Sequence, residues 1–276
     1  MSITASAGLI AAPTQLSLFA KTGSSGELAG SMLSRWYAGS YPAAASAPTP
    51  GLNGANLTSA DPGAMVLINA ASGNKLYLAG IDLLVSDIGN SATGTWVLYD
   101  RLWHNSSITA TTTTEQGISM SALPARDRNG SSNGEGVIAL LEVSGLTGAG
   151  GAITNTTIRY TNSAGDNNRT GTLSHVASGG LAAGYTMTFA LQAGDKGIKT
   201  IEGITLGTTY SSGTMHLVLA REITRMGIGM AYFPERRNAI QLAMPRIFDD
   251  SCLYWVHEQA TSVSMSYQGS ILIVQG

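Results

Sequence analysis

Between Gly134 and Leu206 the chain alternates at strand period in four runs, and the connections between them are rich in Gly, Thr and Asn. Val137, Ala139, Leu141 and Val143 fall on one side of the first run, with Ile138, Leu140 and Glu142 on the other. Thr156-Thr-Ile-Arg-Tyr-Thr161 and Arg169-Thr-Gly-Thr-Leu173 flank Asn162-Ser-Ala-Gly-Asp-Asn-Asn168, which predicts a hairpin with a long polar tip. Tyr185, Met187, Phe189 and Leu191 repeat the alternation, and Ile201–Leu206 follows the turn-forming Ala193-Gly-Asp-Lys-Gly197. This pattern predicts an antiparallel β-sandwich or barrel, and by itself it names no chemistry.

The rest of the chain extends the same reading. Met65–Ile68, Leu76–Val85, Gly94–Trp103, Met215–Arg221, Val263–Tyr267 and Ile271–Val274 read as further strands. Eight or more strands spaced by turns predict an all-β antiparallel sandwich of jelly-roll type. The N-terminal part reads differently. Ser24-Ser-Gly-Glu27 offers an N-cap and Leu28, Met32, Leu33 and Trp36 recur at helical spacing, which predicts a short helix over 25–37. Four prolines from Pro42 to Pro50 and at Pro62 mark an extended connector. Residues 1–62 are therefore expected to form an arm with a short helix, and residues 63–276 the sandwich. The arm either packs on its own body or docks on a neighbouring subunit.

Charged residues make up only 12% of the chain, against roughly 25% in an ordinary globular protein. A surface with so few charges points to extensive coverage by other protein. A net charge of −2, with no basic stripe, argues against a nucleic-acid partner. No run approaches the ~18 apolar residues of a membrane span, and the first basic residue is Lys21, so no membrane partner and no signal peptide are expected. The lone Cys252 makes an internal disulfide framework impossible.

Reactive residue types occur without a convergent pattern. Asp100, Arg101, Trp103 and His104 share one strand end, where an Arg–Asp ion pair beside a packed Trp competes with an interface hot spot. Cys252 and His257 invite a thiol-nucleophile reading, but Asp249 and Asp250 would raise rather than lower a thiol pKa, so a buried structural Cys is expected. Asp166-Asn-Asn168 reads as a turn rather than a Ca²⁺ site, and His104, His175, His216 and His257 show no metal-ligand spacing. Gly145-Leu-Thr-Gly-Ala-Gly-Gly151 lacks the following helix that a phosphate loop needs. Neither catalytic residues, cofactor nor metal is expected. The segment 226–247, with Met230, Tyr232, Phe233 and Glu235-Arg-Arg237, reads either as a loop crossing the sandwich or as a protein-binding loop.

Six motifs in order carry a resemblance: Leu98–Asn105, Leu123-Pro-Ala-Arg-Asp127, Asn133-Gly-Glu-Gly-Val137 running on to Leu141-Glu-Val143, Arg159–Gly165, Arg169-Thr-Gly-Thr172, and Leu191–Ile198. Over about residues 30–275 the chain resembles a family of tailed-bacteriophage virion structural proteins. The resemblance implies a capsid decoration or cement protein on the outer capsid surface, made in the host cytoplasm, with a tail-associated receptor- or glycan-binding protein as the alternative. Its expected partners are the major capsid protein and itself, as a trimer or dimer. The expected contact residues are Arg101, Trp103, Arg126, Arg128, Phe233, Arg236 and Arg237.

Overall fold

The computed structural model describes residues 14–23, 27, 29–87, 93–145, 148, 155–174, 181–262 and 264–276. The Ser24–Gly26 part of the expected N-cap, His175, Val263 and most of the glycine-rich segment after Gly145 lie outside them. The strands, in chain order, are β1 (Thr14–Thr22), β2 (Met32–Ser34), β3 (Ser40–Tyr41), β4 (Ala55–Asn56), β5 (Leu76–Asp87) and β6 (Gly94–His104). They continue with β7 (Gln116–Gly117), β8 (Val137–Gly145), β9 (Thr157–Asn162), β10 (Arg169–Leu173), β11 (Tyr185–Ala190) and β12 (Ile198–Thr205). The last are β13 (Thr214–Ile228), β14 (Glu235–Asn238), β15 (Arg246–Ile247), β16 (Leu253–Gln259) and β17 (Met265–Gln275). One helix stands among the described residues, α1 (Ala239–Leu242), capped by the Asn238 side chain, which accepts from the amides of Ile240 and Gln241.

These strands form two antiparallel sheets in a jelly-roll-like sandwich, as the alternation predicts. The smaller has the order β14-β5-β17-β1-β3, with β15 also on β5. The larger runs β2-β16-β6-β13-β8-β11-β10-β9-β12-β7, with β4 on β6. Its half from β8 to β12 is the stretch Gly134–Leu206, in which β9, β10 and β11 pair in sequence and β12 returns beside β9, a Greek key. The hairpin tip is held by Asn162, whose Oδ1 accepts from the amides of Ala164 and Asp166. Two loops interlock beside it. Gly134 has φ +83°, and a Cβ there would lie 1.9 Å from the Ile198 carbonyl oxygen, while one on Gly197 would lie 2.0 Å from that of Gly134. Only glycine lets the two backbones pass this closely.

The expected helix over 25–37 is not formed: Met32–Ser34 is a strand between β16 and β11. Leu33 enters one core cluster, whereas Met32 and Trp36 enter another on the opposite face of the large sheet. A strand followed by a turn thus buries Met32, Leu33 and Trp36, three of the four residues whose spacing suggested a helix, the fourth, Leu28, lying outside the described residues. Residues assigned to an arm contribute β1, β2, β3 and β4, and β1 pairs with β17 along its whole length, from Thr14 opposite Val274 to Thr22 opposite Ser266.

The middle of the large sheet is covered on both faces. Trp96 and Leu98 of β6 pack toward the small sheet with Phe19, Leu83, Trp255 and Ile271. Val97 and Tyr99 pack the other way with Trp36, Leu140 and Tyr254. The same strand carries Asp100 and Arg101, both fully buried. Arg101 Nη1 donates to both carboxylate oxygens of Glu142 on β8 at 3.0 Å, and its guanidinium lies 4.6 Å from the Trp36 ring centroid. Asp100 accepts from the Ser251 hydroxyl and the Cys252 amide, with Arg126 at 3.5 Å and Arg221 at 3.7 Å. The expected Arg–Asp pairing within the strand is therefore replaced by cross-strand pairs, because neighbouring strand residues point to opposite faces.

Removing one partner of such a pair leaves a charge with no water to solvate it. Glu142→Ala is expected to lower unfolding free energy by about 3–5 kcal/mol, and Arg101→Met with Glu142→Leu by much less. Urea titration of the two variants checks this; equal losses would show that Glu142 acts through packing alone.

Candidate functional site

The seven expected contact residues divide by burial. Arg101 and Trp103 are 0% exposed and Arg126 is buried. Arg126 spends its guanidinium internally, Nη2 donating to the Leu57 carbonyl at 2.6 Å and Nη1 to that of Asp250. As contact residues these three are corrected: they lie where the sheet is covered from both sides, so they hold the chain together and cannot meet a partner. Arg128 is exposed at a different place, beside the interlocked loops. Phe233, Arg236 and Arg237 come together on one edge of the small sheet, where β14 pairs with β5.

That edge borders a surface which the sequence reading missed. The inner side of the small sheet is filled by Phe19, Leu83, Val85, Tyr267 and Ile271. Its outer side carries Leu16 and Leu18 of β1, 61% and 54% exposed. Opposite them across the ladder stand Leu272 and Ser270, and beyond these Gly80 and Asp82. Tyr41 on β3 and Phe233, 62% exposed, flank the face at either end. Two shallow grooves of about 600 and 460 Å³ run across it and share Asp82, Arg236 and Ser270. Arg236 Nε lies 2.6 Å from Asp82 Oδ1, an exposed pair that contributes little to stability in water. The available signal was β1 itself: apolar Leu16, Leu18 and Ala20 on one side and Phe19 on the other mean that both faces of the strand seek cover.

The buried polar residues that the sequence singles out are engaged in the core. Cys252 is fully buried, and burial followed by the nearby Asp100 pushes its thiol far above the usual range. Its neighbour in the sequence reading, His257, instead stacks on Trp96 with ring centroids 4.3 Å apart. His216 Nε2 is 3.0 Å from Glu142 Oε1 and 3.0 Å from the Tyr37 hydroxyl. Burial acts to raise the Glu142 carboxyl, but Arg101 and then His216 overcome it and hold the group down at about 2. Among the described residues no group of three His, Cys, Asp or Glu side chains is placed to hold a metal. No helix among them is long and apolar enough to cross a membrane.

No family model matches the chain, and no curated protein matches it. Among solved structures it is similar to that of the infectious bursal disease virus Gx strain, at 12% identity and a TM-score of 0.19, over 95% of this chain and 80% of that one. It is likewise similar to the crystal structure of the VP2 subviral particle of infectious bursal disease virus, at 10% identity and a TM-score of 0.19, over 95% of this chain and 81% of that one. At these values the likeness does not extend to activity or partners.

The expected tailed-bacteriophage membership is corrected by these findings, and with it the capsid decoration or cement function and the tail-associated alternative. No family model takes up the six motifs, and the structures matched are particles of infectious bursal disease virus rather than a phage head or tail. The motifs have structural work to do. Leu98–Asn105 belongs to the doubly covered strand, and Asn133–Val137 and Leu191–Ile198 to the interlocked loops.

Two imidazoles, the buried His257 and the half-buried His104, are expected to make the fold acid-sensitive. Burial, and then Arg101, lowers His104 to about 2, and burial, then Arg35, does the same to His257. Unfolded, each titrates near 6.5, so below that pH the unfolded chain binds more protons and stability falls. Urea midpoints are expected to decline between about pH 6.5 and 5, above the range where carboxylates dominate. His257→Gln should flatten that limb, and an unchanged slope would remove His257 from the account.

Proposed function

We propose that this protein is a non-catalytic structural subunit of a larger protein assembly, joined to a second copy of itself through the outer face of the small sheet. The observation that carries this reading is the pair Leu16 and Leu18, left in water on a sheet whose other face is already filled. Covering two such side chains contributes about 1.5–3 kcal/mol each. A second copy suits the face because both signs of charge, Asp82 and Arg236, stand side by side where its two grooves meet, on the β14 edge. A two-fold axis there brings Arg236 of one copy toward Asp82 of the other. Phe233 and Arg237, on the same edge, belong to the rim of this contact, and the small share of charged residues agrees with a surface that is largely covered.

Jelly-roll sheets serve virus shells as well as lectins and cupins, so the architecture alone does not choose among them. We take a virion assembled from protein made in the host cytoplasm as the setting of this subunit. The extended apolar face supports it: a shell subunit gains from such a surface, whereas a sugar site relies on convergent polar groups.

Light scattering after size exclusion tests the contact. The wild-type chain is expected to associate at micromolar concentration, and Leu16→Asp with Leu18→Asp to weaken that association by roughly tenfold or more. A wild-type protein that stays monomeric across that range, or a variant that associates as well as the wild type, would overturn the reading.

A further inference from the structure

The chain contains 15 Lys and Arg residues. Nine make ion pairs with carboxylates, and Lys21 donates to the carbonyls of Ala38 and Pro42. Lys75, Arg128, Lys196, Lys199 and Arg246 pair with no carboxylate among the described residues. Three of these, Arg128, Lys196 and Arg246, line a single cleft of about 860 Å³, together with Arg221. In a protein so poor in charge, that gathering is the feature which assembly through the small sheet leaves unexplained.

The cleft is built from the segments that stood out in the sequence. Arg128 follows directly on Leu123-Pro-Ala-Arg-Asp127, Gly136 and Val137 end Asn133–Val137, and Leu191–Lys196 supplies the facing wall. The wall is fixed: the Gly136 amide donates to the Lys196 carbonyl at 2.8 Å, the Arg128 amide to the Glu135 carbonyl at 2.9 Å, and Glu135 bridges Gly197. The floor is Arg221 and Arg246, whose guanidinium carbons lie 4.9 and 4.6 Å from the Phe248 ring centroid.

The carboxylates of the cleft do not cancel this charge. Asp195 accepts from both Nε and Nη2 of Arg169, from the Tyr160 hydroxyl and from Asn162. Glu222 is held by Nε and Nη2 of Arg225 at 2.8 Å. Arg221 is buried and donates Nη1 to the Arg246 carbonyl. Its Nε and Nη2 have no hydrogen-bond acceptor among the described residues, Asp100 Oδ2 standing 3.7 Å from Nη2 and Asp100 being shared with Arg126. Burial, only partly offset by Asp100, lowers the Arg221 pKa, the response of a cation short of counter-charge. Arg246 Nε is likewise buried without an acceptor.

We propose that this cleft is a binding site for a small polyanion, whose phosphate or carboxylate oxygens are received by Arg128, Lys196 and Arg246 above the buried Arg221. Guanidinium groups present planar pairs of donors to such oxygens, and the volume admits a ligand with two or more anionic groups. The site lies apart from the Leu16 and Leu18 face, so it stands or falls independently of assembly.

Isothermal titration with inorganic pyrophosphate and, separately, with citrate tests it, against sodium chloride at matched ionic strength. Saturable binding of one or both is expected, preferring pyrophosphate if the site reads phosphate and citrate if it reads carboxylates. Arg128→Gln with Lys196→Gln, both exposed and outside the core, should weaken it by roughly tenfold or more, while Lys75→Gln should leave it unchanged. No saturable heat with either anion, or binding equal in the double variant and the wild type, would overturn the proposal.

Discussion

Burial of β6 on both faces sets the terms for the rest of the structure. Trp96 to Trp103 run through the middle of the molecule, and two adjacent residues of that run are charged. An ion taken out of water loses several kcal/mol of solvation, so each needs a partner delivered by another strand at hydrogen-bonding distance. Arg101 receives Glu142 from β8, with Trp36 from the turn after β2 packed on its guanidinium. Asp100 receives Ser251 and Cys252 from the approach to β16, and Arg221 from β13. Any slip in register among these strands would break several of these contacts at once. Register is therefore specified by charge as well as by hydrophobic alternation.

Alternation made the strands legible wherever one face is apolar and the other polar. The hairpin of β9 and β10 is the clearest case, because Asn162 and Gly165 mark its tip in the sequence and hold it in the structure. The same signal is local, and it does not report whether a second layer covers the polar-looking face. Arg101 and Trp103 therefore read as surface anchors, although the turn carrying Trp36 packs over Arg101 and residues from distant parts of the chain, such as Ile108, Leu123 and Tyr210, join Trp103 in one core cluster. Met32, Leu33 and Trp36 were misread for a related reason: three apolar residues in five positions fit one face of a helix as well as two faces of a strand. The grouping of Phe233, Arg236 and Arg237 was visible because aromatic and basic residues crowd one loop. The apolar face they border was not, since Leu16 and Leu18 become neighbours of Leu272 only through pairing of the two chain ends.

The six ordered motifs make sense as parts of a closure. Gly134 and Gly197 allow two loops to cross at a distance no side chain would permit, and Gly136, Glu135 and Lys196 stitch that crossing by backbone hydrogen bonds. Asp127 caps the first loop from within, accepting from the amides of Asn129, Ser131 and Glu135. Such short polar segments carry information about how an architecture folds back on itself. They speak to a partner only if the closed loops leave groups unspent.

Here they do leave such groups, and the distribution of charge shows where. Most cations are committed to carboxylates, several of them inside the molecule, and the small sheet's outer face keeps the exposed pair between Arg236 and Asp82. Association through that face would be governed by apolar area and would not weaken with salt, whereas attraction of an anion to Arg128, Lys196 and Arg246 would be electrostatic and screened over about 8 Å at physiological ionic strength. The two surfaces thus answer to different conditions. A chain with so few charges can present the two surfaces separately because Arg35, Arg101, Arg126 and Arg221 are paired inside the molecule, while one region of its surface is mainly apolar and another gathers cations.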